Sequence, residues 1–198
     1  MCPGIGLEHD PFPEAAIDEL KQEWGPILQL WEGYAADDKI RYAGSSGGVA
    51  TALALYALES GIAGGVLHIG VDKECPIKNI PVYSRTKEQL LACTGSRYAP
   101  AAPCQAFNII KEQDSKSIII GKPCDIAALS KARKLDPGLD KKMAFTISIF
   151  CAGTPTTKGT WAILEQMKID NINTLENFRY RGNGWPGNKV VIEIGRAH

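Results

Sequence analysis

Ser117-Ile118-Ile119-Ile120-Gly121-Lys122-Pro123-Cys124-Asp125 and Thr146-Ile147-Ser148-Ile149-Phe150-Cys151-Ala152-Gly153 are the two stretches whose reading decides the fold. Each joins a short β-branched run to a cysteine on a Gly- or Pro-bearing turn, and a segment of helical composition follows. β-Branched side chains favour extended backbone, and Gly and Pro interrupt it. A strand–turn–helix unit that occurs twice points to an α/β fold, a mixed sheet with flanking helices. Such sheets bind ligands in the crevice at the carboxyl ends of their strands. Cys124 and Cys151 fall at equivalent strand ends, where two thiols suit a shared redox or metal site. The other reading is that both are small buried hydrophobes.

Outward from these stretches the chain reads as alternating helices and strands. Apolar spacing predicts a helix over Pro13–Trp24, continued over Pro26–Tyr34 after the Gly25-Pro26 break. Val49–Glu59 reads as a helix opened by Gly47-Gly48 and closed by Gly61. Strands are expected over Gly65–Val71 and Ile80–Ser84. A helix over Thr86–Ala92 would take Thr86 as N-cap and Gln89 as the partner in a capping box. Helices over Pro103–Glu112, Asp125–Lys134 and Thr156–Met167 alternate with strands through Ile120 and over Ala144–Ile149. Later strands are expected at Phe178–Arg181 and Val190–Ile194, and Asp136–Lys142 reads as a solvated turn.

Composition narrows the function classes. The 198 residues carry 22 Lys+Arg and 22 Asp+Glu, so no general attraction to nucleic acid or acidic lipid follows. No apolar run approaches the roughly 18 residues that a membrane-spanning helix needs. Met1-Cys2-Pro3-Gly4 has neither a basic nor an apolar leader segment. The cysteines, at 2, 75, 93, 104, 124 and 151, form no C-x-x-C pair. Without a secretion signal they argue against a disulfide framework and for a reducing, cytoplasmic setting. Any metal site must then be assembled across the fold or with residues from outside it.

Three segments carry groups suited to a nucleotide. Ala43-Gly44-Ser45-Ser46-Gly47-Gly48 runs directly into a helix, where backbone N–H groups favour phosphate; Ser45, Ser46 and Thr51 add hydroxyls. A plain serine N-cap on a flexible turn is the alternative. In Thr94-Gly95-Ser96-Arg97-Tyr98, Arg97 can pair with phosphate and Tyr98 can stack on a flat ring. Phe178-Arg179-Tyr180-Arg181-Gly182-Asn183-Gly184-Trp185-Pro186-Gly187 offers arginines and aromatics for anions and planar rings, or simply a glycine-rich hairpin.

Taken in order, five segments resemble the beta subunit family of the coenzyme F(420) (deazaflavin) reducing hydrogenases and dehydrogenases, which includes 7-hydroxymethyl chlorophyll a reductase. They are Ser46–Leu53, Gly95–Tyr98, Gly121–Leu129, Phe150–Gly153 and Phe178–Gly187. The resemblance implies an FAD-containing oxidoreductase subunit that passes electrons between FAD and 4Fe–4S clusters and exchanges hydride with a deazaflavin-type coenzyme. It implies hydrogenase, dehydrogenase or ferredoxin partners. Carried over by motif, Ser45, Ser46, Gly47, Gly48, Thr51, Gly95, Ser96, Arg97, Tyr98, Gly121, Pro123, Arg181 and Trp185 would bind cofactor, and Cys2, Cys124 and Cys151 would be cluster ligands. Residues 1–10 would be the remnant of a ferredoxin-like element, and 11–198 an FAD-binding domain lacking its C-terminal part. Position 125 is Asp where many relatives have Gln. A different class of function is a non-catalytic electron-relay or scaffold subunit. A Cys124 nucleophile would need a base that no motif here supplies. Cys75, Cys93 and Cys104 receive no role, and His68, on an expected strand, reads as structural.

Overall fold

A computed structural model describes residues 11, 13–182, 184, 188–193 and 196–197. Cys2, with the expected 1–10 element, and Trp185 lie outside the described residues. The helices are α1 (Asp18–Trp24), α2 (Asp38–Ala43), α3 (Val49–Glu59), α4 (Lys87–Ala92), α5 (Phe107–Lys111), α6 (Pro123–Leu135), α7 (Pro137–Lys141) and α8 (Thr157–Gln166). The strands are β1 (Gly65–Val71), β2 (Asn79–Ser84), β3 (Ser117–Gly121), β4 (Met143–Ser148), β5 (Leu175–Gly182), β6 (Asn188–Glu193) and β7 (Arg196–Ala197).

Four strands form a mixed sheet in the order β2-β1-β3-β4. β1 pairs antiparallel with β2 and parallel with β3, and β3 pairs parallel with β4. Why β3 is almost wholly apolar follows from its place: side chains alternate between faces, and both faces are covered. Ile118 joins Val66 in a core with Ala54, Leu55 and Ala57 of α3 and Leu90 of α4. Ile119 joins Leu67 on the opposite face, against Ile110 of α5, Leu129 of α6 and Leu139 of α7. A separate antiparallel sheet, β5-β6-β7, packs Leu175, Phe178 and Tyr180 on Leu164 of α8, Ile169, Ile77 and Ala99.

Several boundaries differ from the sequence reading. Pro13–Ala16 makes a turn, closed by the Ala16 N–H donating to Pro13 O at 3.0 Å, so α1 starts only at Asp18. Residues 26–34 are not helical: Gly25 leaves α1 at φ 79°, and the Ile27 carbonyl is spent on the Ile17 N–H at 2.8 Å. Asp136–Lys142 is no mere solvated turn. The Asp136 carboxylate caps α7 by accepting from the Gly138 and Leu139 N–H groups, and Leu139 is buried. α6 begins two residues before Asp125, because Pro123 fits a first helical position, where no N–H is needed. Thr86 caps α4 by accepting the Gln89 N–H, but the Gln89 side chain reaches past it to the Arg85 N–H at 2.8 Å.

Candidate functional site

The glycine-rich turn does more than lead into α3. Ser46, Gly47 and Gly48 all adopt left-handed backbone, with φ of 51°, 73° and 71°. For Ser46 this is strained by roughly 1–2 kcal/mol, a cost that surrounding structure must hold in place. The turn is pinned by the Gly47 carbonyl, which accepts the Ala35 N–H at 2.7 Å. Its own Gly48 N–H donates to Ser45 O at 3.1 Å. A Cβ at position 48 would stand 2.7 Å from the Ile40 carbonyl oxygen, so Gly48 is a packing glycine turned toward α2. Ser46 and Gly47 face the other way. With Tyr34, Asp38, Arg41 and Tyr42 they line a cavity of about 640 Å³. The Arg41 guanidinium lies 4.8 Å from the centre of the Tyr34 ring and pairs with Asp38. Thr51 lies in the first turn of α3.

Behind this turn lies the 94–98 loop. The Ser96 N–H donates to Ser45 Oγ at 3.1 Å, which joins two of the three sequence candidates into one neighbourhood. Arg97 and Tyr98 point apart. Nε of Arg97 donates to Asn79 Oδ1, Nη1 to Phe178 O at 3.2 Å, and Nη2 to Pro76 O at 2.7 Å and Lys78 O at 3.2 Å. Its side chain is thus the pin that ties this loop to the start of β2 and to β5. Burial, more than the neighbouring Arg179, holds its pKa below the usual guanidinium value. Tyr98 is partly exposed and meets Tyr180 edge to face at 5.9 Å; Arg181 Nη1 approaches its hydroxyl at 3.5 Å. Gly95, at φ 115°, makes room for Arg179 Nη2, which would lie 2.7 Å from a Cβ there.

A second neighbourhood lies at the carboxyl end of β3. Gly121 packs against Asp125, and its carbonyl accepts the Ile149 N–H at 3.0 Å, drawing the segment after β4 alongside. Pro123 and Cys124 open α6. Asp125 closes its own helix start: Oδ2 accepts the Lys122 N–H at 3.0 Å and the Lys122 ammonium at 2.7 Å. Cys124 is half-buried, and Cys151 is exposed. Cys104, which the sequence left without a role, stands close enough to feel Cys124: burial first, then the Asp125 and Cys124 charges, push its thiol pKa up. The contact between the 103–106 turn and α6 that places it there is long-range and has no local sequence signal. Among the described residues no group of three or more His, Cys, Asp or Glu side chains could hold a metal ion. The described thiols therefore do not complete a cluster ligand set.

Comparison with known proteins bears directly on these neighbourhoods. The sequence profile of the coenzyme F(420) hydrogenase/dehydrogenase beta subunit N-terminal region matches residues 30–107, and that of the C-terminal region matches 114–196. The chain belongs to this family. The beta-subunit family is one of oxidoreductases, and both neighbourhoods fall within the matched residues. The F(420)-dependent formate dehydrogenase 1 subunit beta of Methanococcus maripaludis is 37% identical over 146 residues, 71% of this chain and 35% of the relative. The coenzyme F(420) hydrogenase subunit beta of Methanosarcina barkeri is 26% identical over 190 residues, 88% of this chain and 63% of the relative. The chain thus spans between about a third and two thirds of these relatives' lengths. A chain of the F(420)-reducing nickel–iron hydrogenase complex of Methanosarcina barkeri superposes with a TM-score of 0.64 over 82% of this chain and 59% of its own, at 24% identity. That likeness establishes the shared fold. No described helix is long and apolar enough to cross a membrane.

Proposed function

We propose that the chain is the flavin-binding part of an electron-transfer subunit, with FAD seated against the Ser45–Gly47 turn and its flat ring in the cavity between Tyr34 and Tyr42. The observation that carries this reading is the cavity itself. About 640 Å³ is within the range of cofactor clefts, and its wall combines two half-exposed tyrosines, an arginine and a strained turn. Tyr34 and Tyr42 offer ring faces; Arg41, held over Tyr34 by Asp38, offers a cation beside them. Ser46 and Gly47 allow close approach of the backbone. When bound, FAD supplies hydride exchange on one side and single-electron transfer on the other. The relatives named for F(420) favour a deazaflavin-type coenzyme as the hydride partner. In this reading Cys124 and Cys151 are two ligands of a 4Fe–4S cluster completed by cysteines outside the described residues, Cys2 belongs to a second cluster, and hydrogenase, dehydrogenase or ferredoxin subunits in the cytoplasm take the electrons. Arg97 acts here by fixing the 94–98 loop, not by touching the cofactor.

Fluorescence titration of FAD into the full chain tests the reading. The parent binds, and Tyr34→Ala with Tyr42→Ala together weaken binding at least tenfold. Equal affinity of parent and double variant would remove the ring from this cavity. A relay or scaffold role is the second reading. It is favoured by exposed aromatic side chains: Trp31 is 83% exposed, and Phe150, 92% exposed, meets Trp24 edge to face at 6.2 Å. Bleaching of bound flavin by a reduced deazaflavin coenzyme separates the two: a scaffold subunit leaves the absorbance unchanged.

A further inference from the structure

The mixed sheet ends in two edge strands that are built differently. β2 carries Pro81, which has no N–H to offer a further strand. β4, at the other edge, runs Met143-Ala144-Phe145-Thr146-Ile147-Ser148 with neither a charge nor a proline. Proteins normally blunt or cover an edge of that kind. Among the described residues, no backbone hydrogen bond from a further segment reaches the outer side of β4. Its inner side is fixed by the pairing with β3. The Ile149 N–H donates to Gly121 O at 3.0 Å, and backbone groups along a strand point alternately to either side. Ile149, Ile147 and Phe145 therefore turn theirs toward β3, while Thr146 and Ser148 turn theirs to the open side.

We propose that β4 pairs edge to edge with β4 of a second copy of this chain, antiparallel about a two-fold axis at Thr146. The register follows from the strand itself. Residues opposite each other in an antiparallel pair share a face of the sheet, so a two-fold pair must be centred on one residue. Thr146 is the outward-turned residue nearest the middle of β4, and there the two copies exchange both N–H···O bonds. This register sets Thr146 opposite Thr146, Phe145 opposite Ile147 and Ala144 opposite Ser148. Thr–Thr and aromatic–β-branched pairs are favourable cross-strand neighbours. Charge complements the same arrangement. The entry to β4 is basic, with Lys141 exposed and Lys142 beside it. Past its exit, Phe150 meets Trp24 at the end of α1, the helix that carries Asp18, Glu19 and Glu23 against Lys21 alone. Antiparallel pairing lays the basic end of each copy beside the acidic end of the other, and Lys142 opposite the exposed Phe150 ring. A parallel pair would bring like ends together.

Sedimentation equilibrium of the full chain under reducing conditions, across the micromolar range, tests this. The parent is expected to dimerise. Thr146→Lys sets two like charges directly opposite each other across the axis, and Thr146→Glu does the same with the other sign. Each should weaken the dimer by about fivefold or more. Mixing the two variants should restore a heterodimer at least as tight as the parent dimer, a recovery that damaged folding cannot give. Thr146→Pro removes the outward N–H from both strands at once and should weaken the dimer by about tenfold or more. The Lys and Glu pair keeps the test valid if the proline variant fails to fold. A parent that stays monomeric over the whole range overturns the proposal. So does a dimer that Thr146→Lys and Thr146→Glu leave unchanged, or one that both weaken and mixing does not restore.

Discussion

Acid should destabilise this protein through one buried histidine. His68 lies on β1, between the two packed faces, with its Nε2 2.8 Å from Ser84 Oγ. Burial lowers its pKa from 6.5 to about 4, because a charged imidazole would lose its hydration there. In the unfolded chain the ring takes up a proton near pH 6.5; in the folded chain it takes one up only near pH 4. Between these values the unfolded state binds more protons, so stability falls as pH drops through 6.5 and the loss levels off near 4. At pH 4.5 about three quarters of the 2.5-unit difference has been expressed, a loss of about 2–3 kcal/mol from this group, against almost nothing at pH 7.5. Urea denaturation of the parent and of His68→Gln at both pH values isolates it, since all other titrating groups are common to the pair. The expected result is a parent that loses about 2–3 kcal/mol more than the variant on acidification. Parallel losses in the two proteins would show that His68 is not a buried neutral imidazole and would refute the argument.

Further outcomes follow from the turn, the loop and the helix start. Gly48→Ala should destabilise well beyond the roughly 1–2 kcal/mol of left-handed strain, because its Cβ meets the Ile40 carbonyl. Gly61→Ala, at φ 72° with nothing within 4 Å, should cost only the strain, and thermal melts of the two compare them directly. Arg97→Ala strips donors from the carbonyls of Pro76, Lys78 and Phe178 and should cost about 2–4 kcal/mol in denaturant unfolding. Asp125→Asn loses the Lys122 ion pair beside the α6 start and should cost about 1 kcal/mol, less in high salt, by the same assay.

Legibility from sequence followed the range of the forces involved. β1, β3 and α3 were readable because their apolar pattern is local and matches two buried faces. α7 was not, since one buried residue, Leu139, anchors a helix otherwise made of turn and charged residues. The 26–34 segment carries helical composition, but a long-range bond from Ile17 claims its backbone. At the site, the glycine-rich turn and the Gly95–Tyr98 segment were legible as motifs. Which way Arg97 points was not: arginine that binds phosphate and arginine that binds carbonyls look alike until residues 76, 78 and 178 are brought beside it. Arg41 and Tyr42 sit on the exposed side of a short helix, where charge and aromatic content carry no distinguishing pattern.

The close approach of Gly44 and Gly48 has a mechanical consequence. A Cβ on Gly44 would stand 2.7 Å from the Cα of Gly48, and one on Gly48 would stand 2.7 Å from the Ile40 oxygen, so two backbones touch with no side chain between them. Side chains that interdigitate can slide by changing rotamer; bare backbones in contact cannot. α2 and the start of α3 therefore travel as one stiff piece, and Arg41 and Tyr42 keep their spacing from Ser46 and Gly47 whatever the rest of the chain does. Tyr34 belongs to the same stiff unit, because Gly47 packs against its backbone and the neighbouring Ala35 N–H bonds the Gly47 carbonyl, so the cavity wall keeps its shape on that side as well.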